Sequence, residues 1–327
     1  MTKVSGESSW NTMFDEHLPT FERLRAEVDH TLRAVLADVR IHDIRVRVKK
    51  KSSFLEKIDR KNYHNPFGQM TDIVGARVVC LFVDDIDKVE SAISREFDIM
   101  EKEDKTDETK PEIFGYQSVH YLCAIKDRYQ GLRYEGLHGL TFEVQVRTIL
   151  QDAWAVVEHT LGYKNKLSLP PDLRRDFSAL AGLLHVADKT FQQINYRSHA
   201  LLVEAEEDVR ELLLQTSSGQ VTAEADIKID RNTLKAFLSE QFPDREDEKM
   251  RWYSALAEEI ISVGVTGISQ LKKVVEETLD DALEEERDDP PLDFDTMNET
   301  RYNRVGMARQ IMGIAFPGFK VTRELEE

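Results

Sequence analysis

The sequence predicts an α+β protein whose strands are confined to its first half and whose second half is all helix. Two patterns carry this expectation. Up to about residue 170, stretches that alternate apolar and polar residues are interleaved with stretches whose apolar residues recur every three or four positions; beyond Pro170-Pro171 only the second kind occurs. A composition that is 41% hydrophobic and 32% charged over 327 residues is that of a soluble globular chain with ample length for a core. No apolar run approaches membrane-spanning length and the start, MTKVSGESSW, has no signal-peptide core, so a cytoplasmic location and no membrane partner are expected. The net charge of −17 argues against broad non-specific binding to nucleic acid and leaves room for a local basic pocket. Cys80 and Cys123 both sit in apolar strand-like runs and read as small core residues, neither a disulfide pair nor metal ligands.

Taken in order, Leu18 to Arg40 carries Phe21, Leu24, Val28, Leu32, Val35 and Val39 on one stripe, which predicts a helix. Ile44 to Lys49 alternates, with Ile44, Val46 and Val48 on one face and Arg45, Arg47 and Lys49 on the other. Three cations so close repel one another, so they need either good screening by water or an anion among them. Ser52 or Ser53 is placed to N-cap a following helix that returns Lys57 toward the strand. A polyphosphate would suit this combination of Arg forks, Lys point charges and helix N-terminus; a basic surface strand is the plainer alternative.

Thr71 to Phe82 is an apolar strand that carries Asp72 near its start and Arg77 inside it, charges that need partners. Asp85 to Phe97 is an amphipathic helix through Ile86, Val89, Ile93 and Phe97, Phe97 to Glu103 a short strand, and Lys105 to Phe114 a polar loop. Gly115 to Tyr121 opens the next strand, with Tyr116, Ser118 and His120 on one face. Thr141 to Arg147 alternates again, with Phe142, Val144 and Val146 facing one way and Glu143, Gln145 and Arg147 the other, before running into a helix with Trp154, Glu158 and His159. A carboxylate, an amide and a guanidinium on such a strand belong either to a solvated sheet face or to a site.

The order R-x-K-x-x-x-S-x-x-x-K (Arg47, Lys49, Ser53, Lys57), T-D-I-x-G-x-R-V (Thr71 to Val78), G-Y-x-S-V-H (Gly115 to His120), E-V-Q-V-R-T (Glu143 to Thr148) and W-A-x-x-E-H (Trp154 to His159) resembles the synthetase domain of the RelA/SpoT alarmone synthetases, over roughly Leu18 to Lys164. The resemblance implies a mixed β-sheet with surrounding helices in a nucleotidyltransferase-like core, and transfer of the β,γ-pyrophosphoryl group of ATP to the ribose 3′-hydroxyl of GDP or GTP. It further implies Asp72 and Glu143 as catalytic carboxylates that hold Mg²⁺, Arg47, Lys49, Ser53, Lys57 and Arg77 on the ATP side, and Tyr116, Ser118, His120, Gln145 and Arg147 on the acceptor side, with Tyr116 stacking on the acceptor base. Because the resemblance begins so early in the chain, a synthetase-only member, without the hydrolase portion of the bifunctional relatives, is expected.

Glu112 departs from that pattern, standing where a phosphate-binding lysine is usual, with Lys110 nearby. Toxin-like members that resemble the same core and pyrophosphorylate the 3′ end of tRNA therefore stay open as an alternative, as does an inactive nucleotide-binding module. The expected divisions are a core over 1–170, a long helical segment over 171–216 and a helical region over 217–327 that regulates the core or mediates homo-oligomer formation. Within the last region, Asp230 to Phe242, Tyr253 to Val263, Ile268 to Leu283 and Asn298 to Phe316 have helical patterns, and the acidic run Asp280 to Asp289, followed by Pro290-Pro291, reads as a solvated linker.

Overall fold

The structure is a computed structural model that describes residues 3–104, 118–161, 170–217, 226–292 and 299–321. Two compact units divide it, Met1–Ile194 and Asn195–Glu327. In chain order the first unit contains α1 (Lys3–Val35), β1 (Ile41–Val48), α2 (Lys51–Lys61), the single turn α3 (Pro66–Gln69), β2 (Val74–Cys80), α4 (Asp84–Glu96), β3 (Phe97–Asp104), β4 (Val119–Ile125), β5 (Thr141–Thr148) and α5 (Ile149–Thr160). The helix α6 (Pro171–Ser217) begins in this unit and ends in the next, which continues with α7 (Arg231–Gln241), α8 (Met250–Ser262), α9 (Ile268–Asp288) and α10 (Arg304–Ala315). Among the described residues no helix is long and apolar enough to cross a membrane.

The five strands form one mixed sheet in the order β1-β2-β5-β4-β3, with β2 and β5 parallel and the other neighbours antiparallel. Each strand's alternation decides which face it buries. Val74, Ala76 and Val78 of β2, Phe142, Val144 and Val146 of β5, and Val119, Tyr121 and Cys123 of β4 are buried, together with Phe21, Leu24, Val28 and Leu32 of α1 and Val89 and Ile93 of α4. Both cysteine thiols are buried in this layer and pushed up to about 12 by that burial, which makes them inert packing groups. With one face sealed by α1 and α4, the polar residues of the same strands are left on the other.

The helix α1 starts well before Leu18, because Trp10 and Phe14 extend its apolar stripe; Phe14 packs 4.9 Å from the Phe54 ring, and Phe54 packs 5.3 Å from that of Phe67. These rings anchor α2. Neither Ser52 nor Ser53 caps that helix: the N-cap is Lys50, which makes no side-chain cap bond, and the helix begins at Lys51, whose ammonium pairs with Asp15 of α1 at 2.9 Å. Asp72 precedes β2 in a turn rather than lying on the strand.

In the second unit the acidic run is not a linker. Residues 280–288 form the last turns of α9, with Ala282 and Glu286 buried. The side chain of Glu286 accepts two hydrogen bonds from Arg245, at 2.8 and 2.7 Å, and a third from the Tyr302 backbone N–H at 2.6 Å. The last helix starts at Arg304, N-capped by Asn303, and residue 298 lies outside the described residues.

Candidate active site

Register places the site. Reading across the sheet, Arg47, Gly75, Glu143 and Leu122 occupy one row, and Arg45, Arg77, Gln145 and His120 the next. Residues directly opposite share a face, so the charged positions of four strands converge on the side that α1 and α4 leave uncovered.

Two clusters occupy it. In the first, Lys49, the residue after β1, and Lys57 of α2 each pair with one oxygen of Asp72, at 2.7 and 2.9 Å. Burial pushes the Asp72 carboxyl up, but the hydrogen bonds and charges of the two ammonium groups outweigh it and hold the group below its ordinary value. In the second cluster, five side chains close a ring. Glu143 Oε1 lies 2.7 Å from His120 Nδ1; His120 Nε2 lies 2.8 Å from Ser118 Oγ; Arg147 Nη2 donates to Ser118 Oγ at 3.4 Å and to Gln145 Oε1 at 2.7 Å; and Gln145 Nε2 donates back to Glu143 Oε2 at 3.0 Å. Burial pushes the Glu143 carboxyl up; the His120 hydrogen bond and charge, with the Gln145 amide, outweigh it against a further upward push from Asp72, and the group stays below its ordinary value.

Arg147 is 5% exposed and its Nε has no hydrogen-bond partner among the described residues. Burial and the neighbouring Arg77 lower its guanidinium to about 10, against Asp152 and Glu143, which favour the charge. Sequence reasoning missed Asp152. It stands in the first turn of α5, where an acid also suits the helix dipole, and a single oxygen, Oδ1, meets Arg77 Nη1 at 3.1 Å and Arg147 Nη1 at 3.4 Å. The helix that carries it is fixed by a capping box between Thr148 and Gln151, and the Thr148 hydroxyl donates to the buried Asp188 of α6 at 2.6 Å.

Of the residues expected from sequence, Lys49, Lys57 and Asp72 form one cluster, and Ser118, His120, Glu143, Gln145 and Arg147 the other. Arg47 and Arg77 share the site's face; Ser53 lies in the first turn of α2, one turn before Lys57. The cations of β1 are partly neutralised within the chain, since Arg45 pairs with Asp43 and Lys49 with Asp72. Trp154 is buried against Phe177 and Ala181, a packing position rather than a site position. Tyr116, Lys110 and Glu112 lie outside the described residues.

A magnesium ion bound with a nucleotide needs only one or two protein carboxylates and draws its remaining oxygen ligands from phosphate and water. Asp72 and Glu143 are the carboxylates of the two clusters; the oxygens of Asp72 meet Lys49 and Lys57 and those of Glu143 meet His120 and Gln145, and no group of three or more metal-binding side chains occurs among the described residues.

Comparison with known proteins falls on the same part of the chain. Residues 46–168 match the family described as a region found in RelA/SpoT proteins. The chain is similar to the GTP pyrophosphokinase YjbM of Bacillus subtilis (strain 168), 33% identical over 131 residues that make up 39% of this chain and 59% of YjbM. It is also similar to the GTP pyrophosphokinase YwaC of the same organism, 30% identical over 155 residues, 46% of this chain and 71% of YwaC. Among solved structures, small alarmone synthetase 1 from Bacillus subtilis superposes with a TM-score of 0.47 at 24% identity, covering 59% of this chain and 98% of that one. The matched span contains every charged residue of both clusters, and with it the chain belongs to the RelA/SpoT family.

Proposed function

We propose that the chain is an ATP-dependent pyrophosphokinase that transfers the β,γ-pyrophosphoryl group of ATP to the ribose 3′-hydroxyl of GDP or GTP. The observation that carries this is the convergence, on one open sheet face, of a carboxylate flanked by two ammonium groups and a second carboxylate held in a closed ring of polar side chains. The names of YjbM and YwaC, both GTP pyrophosphokinases, support the same reaction.

The chemistry asks for positioning and charge neutralisation more than for covalent help. The acceptor's 3′-oxygen bonds to the β-phosphorus while the bond from that phosphorus to the α,β-bridging oxygen breaks, and AMP leaves. Lys49, Lys57, Arg47 and Arg77 hold the donor's phosphates and offset the charge on the leaving oxygen. Glu143, ionised at neutral pH because His120 and Gln145 stabilise its charge, orients the 3′-hydroxyl and receives its proton as the new bond forms. Mg²⁺, when bound to Asp72 and Glu143, supplies Lewis-acid neutralisation of phosphate oxygens. Gln145 and Arg147 border the acceptor, together with His120.

Incubation of the purified chain with labelled ATP and, separately, GDP, GTP and deacylated tRNA tests the proposal. Label on GDP or GTP is the expected result. Label on tRNA alone would reassign the acceptor, a reading that Glu112 motivates, and label on neither would leave a binding module. Asp72→Asn and Glu143→Gln are each expected to lower transfer by about 10³-fold or more, the scale of losing a group that stabilises transition-state charge, with unchanged circular dichroism.

A further inference from the structure

Gly75 is a strand-interior glycine, and such a residue needs a reason. It forgoes side-chain packing and costs backbone entropy, and in strands it marks a bulge, a sharp bend, or the close approach of another backbone or a ligand. Three of these are excluded by geometry. The ladder to β1 runs unbroken through Gly75, opposite Arg47, and the ladder to β5 begins at it, opposite Glu143; the irregularity of the first ladder lies away from it, between Ile41 and Asp43. Its φ is not in the left-handed region, so no bend requires a glycine. A Cβ built on it meets no heavy atom within 4 Å, so no other backbone comes close among the described residues.

A ligand remains. Gly75 faces the site, since Val74 and Ala76 on either side of it are buried on the opposite face. Its absent side chain leaves a hollow in the row between a guanidinium, Arg47, and a carboxylate, Glu143. Arg77 lies two residues along the same strand, and the Lys49–Asp72–Lys57 cluster stands at the strand's entrance. Four cations and two carboxylates around a spot with no side chain suit a chain of phosphate groups carrying a divalent cation.

We propose that Gly75 is the floor of the donor site: the polyphosphate of ATP lies directly over its Cα, and the missing side chain sets the clearance that this approach needs. The inference rests on the pyrophosphokinase reading and adds to it a residue that acts by leaving room. Its signature separates it from a structural role. A β-carbon at Gly75 meets no heavy atom of the described residues and restricts the unfolded chain, so it is expected to leave the melting temperature equal or higher while impairing the site.

The experiment uses the full chain with Gly75→Ala and Gly75→Val, the α,β-methylene analogue of ATP with Mg²⁺, and calorimetry. Gly75→Ala is expected to weaken analogue binding about tenfold and Gly75→Val about 10²-fold, the scale of forcing extra carbons into a filled contact. GDP affinity is expected to stay within about twofold and the melting temperature not to fall. Analogue binding in Gly75→Val within twofold of the unaltered chain, or a loss that follows a falling melting temperature, would overturn the proposal. Should Gly75→Val not fold, Gly75→Ala decides alone, analogue binding within twofold of the unaltered chain overturning the proposal, because its single methyl meets nothing within 4 Å among the described residues. An unaltered chain that binds the analogue, loses it on enlargement at Gly75, yet transfers nothing to GDP or GTP would end the reading of these nucleotides as acceptors and leave the size limit standing.

Discussion

Two guanidiniums, those of Arg77 and Arg147, share a single carboxylate oxygen of Asp152. Asp152 is the counter-ion that lets Arg77, from β2, and Arg147, from β5, stand side by side, although Arg147 is almost wholly buried. Asp152→Asn keeps the shape and removes the charge, leaving two cations facing a neutral oxygen. A hydrogen bond to a charged group contributes about 1.5–3 kcal/mol, so the variant is expected to lose transfer activity about tenfold to 10²-fold, with recovery of part of it in Asp152→Glu. Steady-state kinetics on both variants checks this, and activity equal to the unaltered chain in Asp152→Asn would remove Asp152 from the positioning of the arginines. This residue also marks where sequence reading stops. A period of two is enough to place Glu143, Gln145 and Arg147 on one face, because a strand fixes side-chain direction locally. That Asp152 faces the same site depends on where α5 leaves the sheet and on two strands being parallel neighbours, neither of which is encoded within Thr148 to Trp154.

Whole elements follow the same division between local and distant causes. The alternation of β1 and β5 is sufficient for their faces, and the apolar stripes of α4 and α7 for their extents. Ser52 and Ser53 satisfy the composition rule for an N-cap, but α2 begins at Lys51, tied to Asp15 of α1 across a separation that local pattern does not register. The acidic end of α9 has the composition of a linker and stays helical because Arg245, 41 residues away in sequence, reaches Glu286 in a bidentate pair that is 4% and 7% exposed. Truncating one partner of a buried pair costs about 3–5 kcal/mol, so Glu286→Ala should lower the unfolding free energy of the helical unit by that order, whereas Arg245→Met with Glu286→Leu together should come close to neutral. The sign of the pH dependence follows from the pair as well. Arg245 lowers the Glu286 carboxyl, against burial, below its unfolded-state value. Its stabilising contribution is therefore complete above the ordinary carboxylate range near pH 4 and is lost as pH falls through the lower folded-state value. Urea unfolding at pH 7 and in the acid range is expected to show Glu286→Gln losing less stability on acidification than the unaltered chain.

At the scale of the molecule, the division between the two units falls inside α6, and this decides where the chain can be cut. Thr160 and Pro171 bracket a change of element, and composition alone points to a boundary near Pro170-Pro171 or at the polar stretch after Leu214. The packing points elsewhere. Ala181 is buried with Trp154, Asp188 accepts from Thr148 at the end of β5, and the Gln192 side chain accepts from the backbone N–H of Asp84 at the start of α4, so α6 up to Ile194 completes the first unit. From Ala205 onward the same helix buries Ala205, Val209 and Leu212 in the core formed by α7 to α10. A chain ending at Pro170 would strip Asp188 from Thr148, leaving a buried hydroxyl and the junction of β5 with α5 without their partner, a loss of about 1–3 kcal/mol beside the site. A chain ending at Ser217 would keep that contact but expose Val209 and Leu212 to water, at about 1.5–3 kcal/mol for each fully buried apolar side chain. The fragment Met1–Ile194 avoids both defects and retains every residue of the two clusters, Gly75 and Asp152. It is expected to melt cooperatively and to transfer pyrophosphate to the same acceptor as the full chain, whereas a fragment ending at Pro170 should melt lower and one ending at Ser217 should associate through its uncovered end. Circular dichroism melts, sedimentation and the labelled-ATP assay on the three fragments test this, and an unfolded Met1–Ile194 beside a well-folded fragment ending at Pro170 would show that α6 does not complete the core.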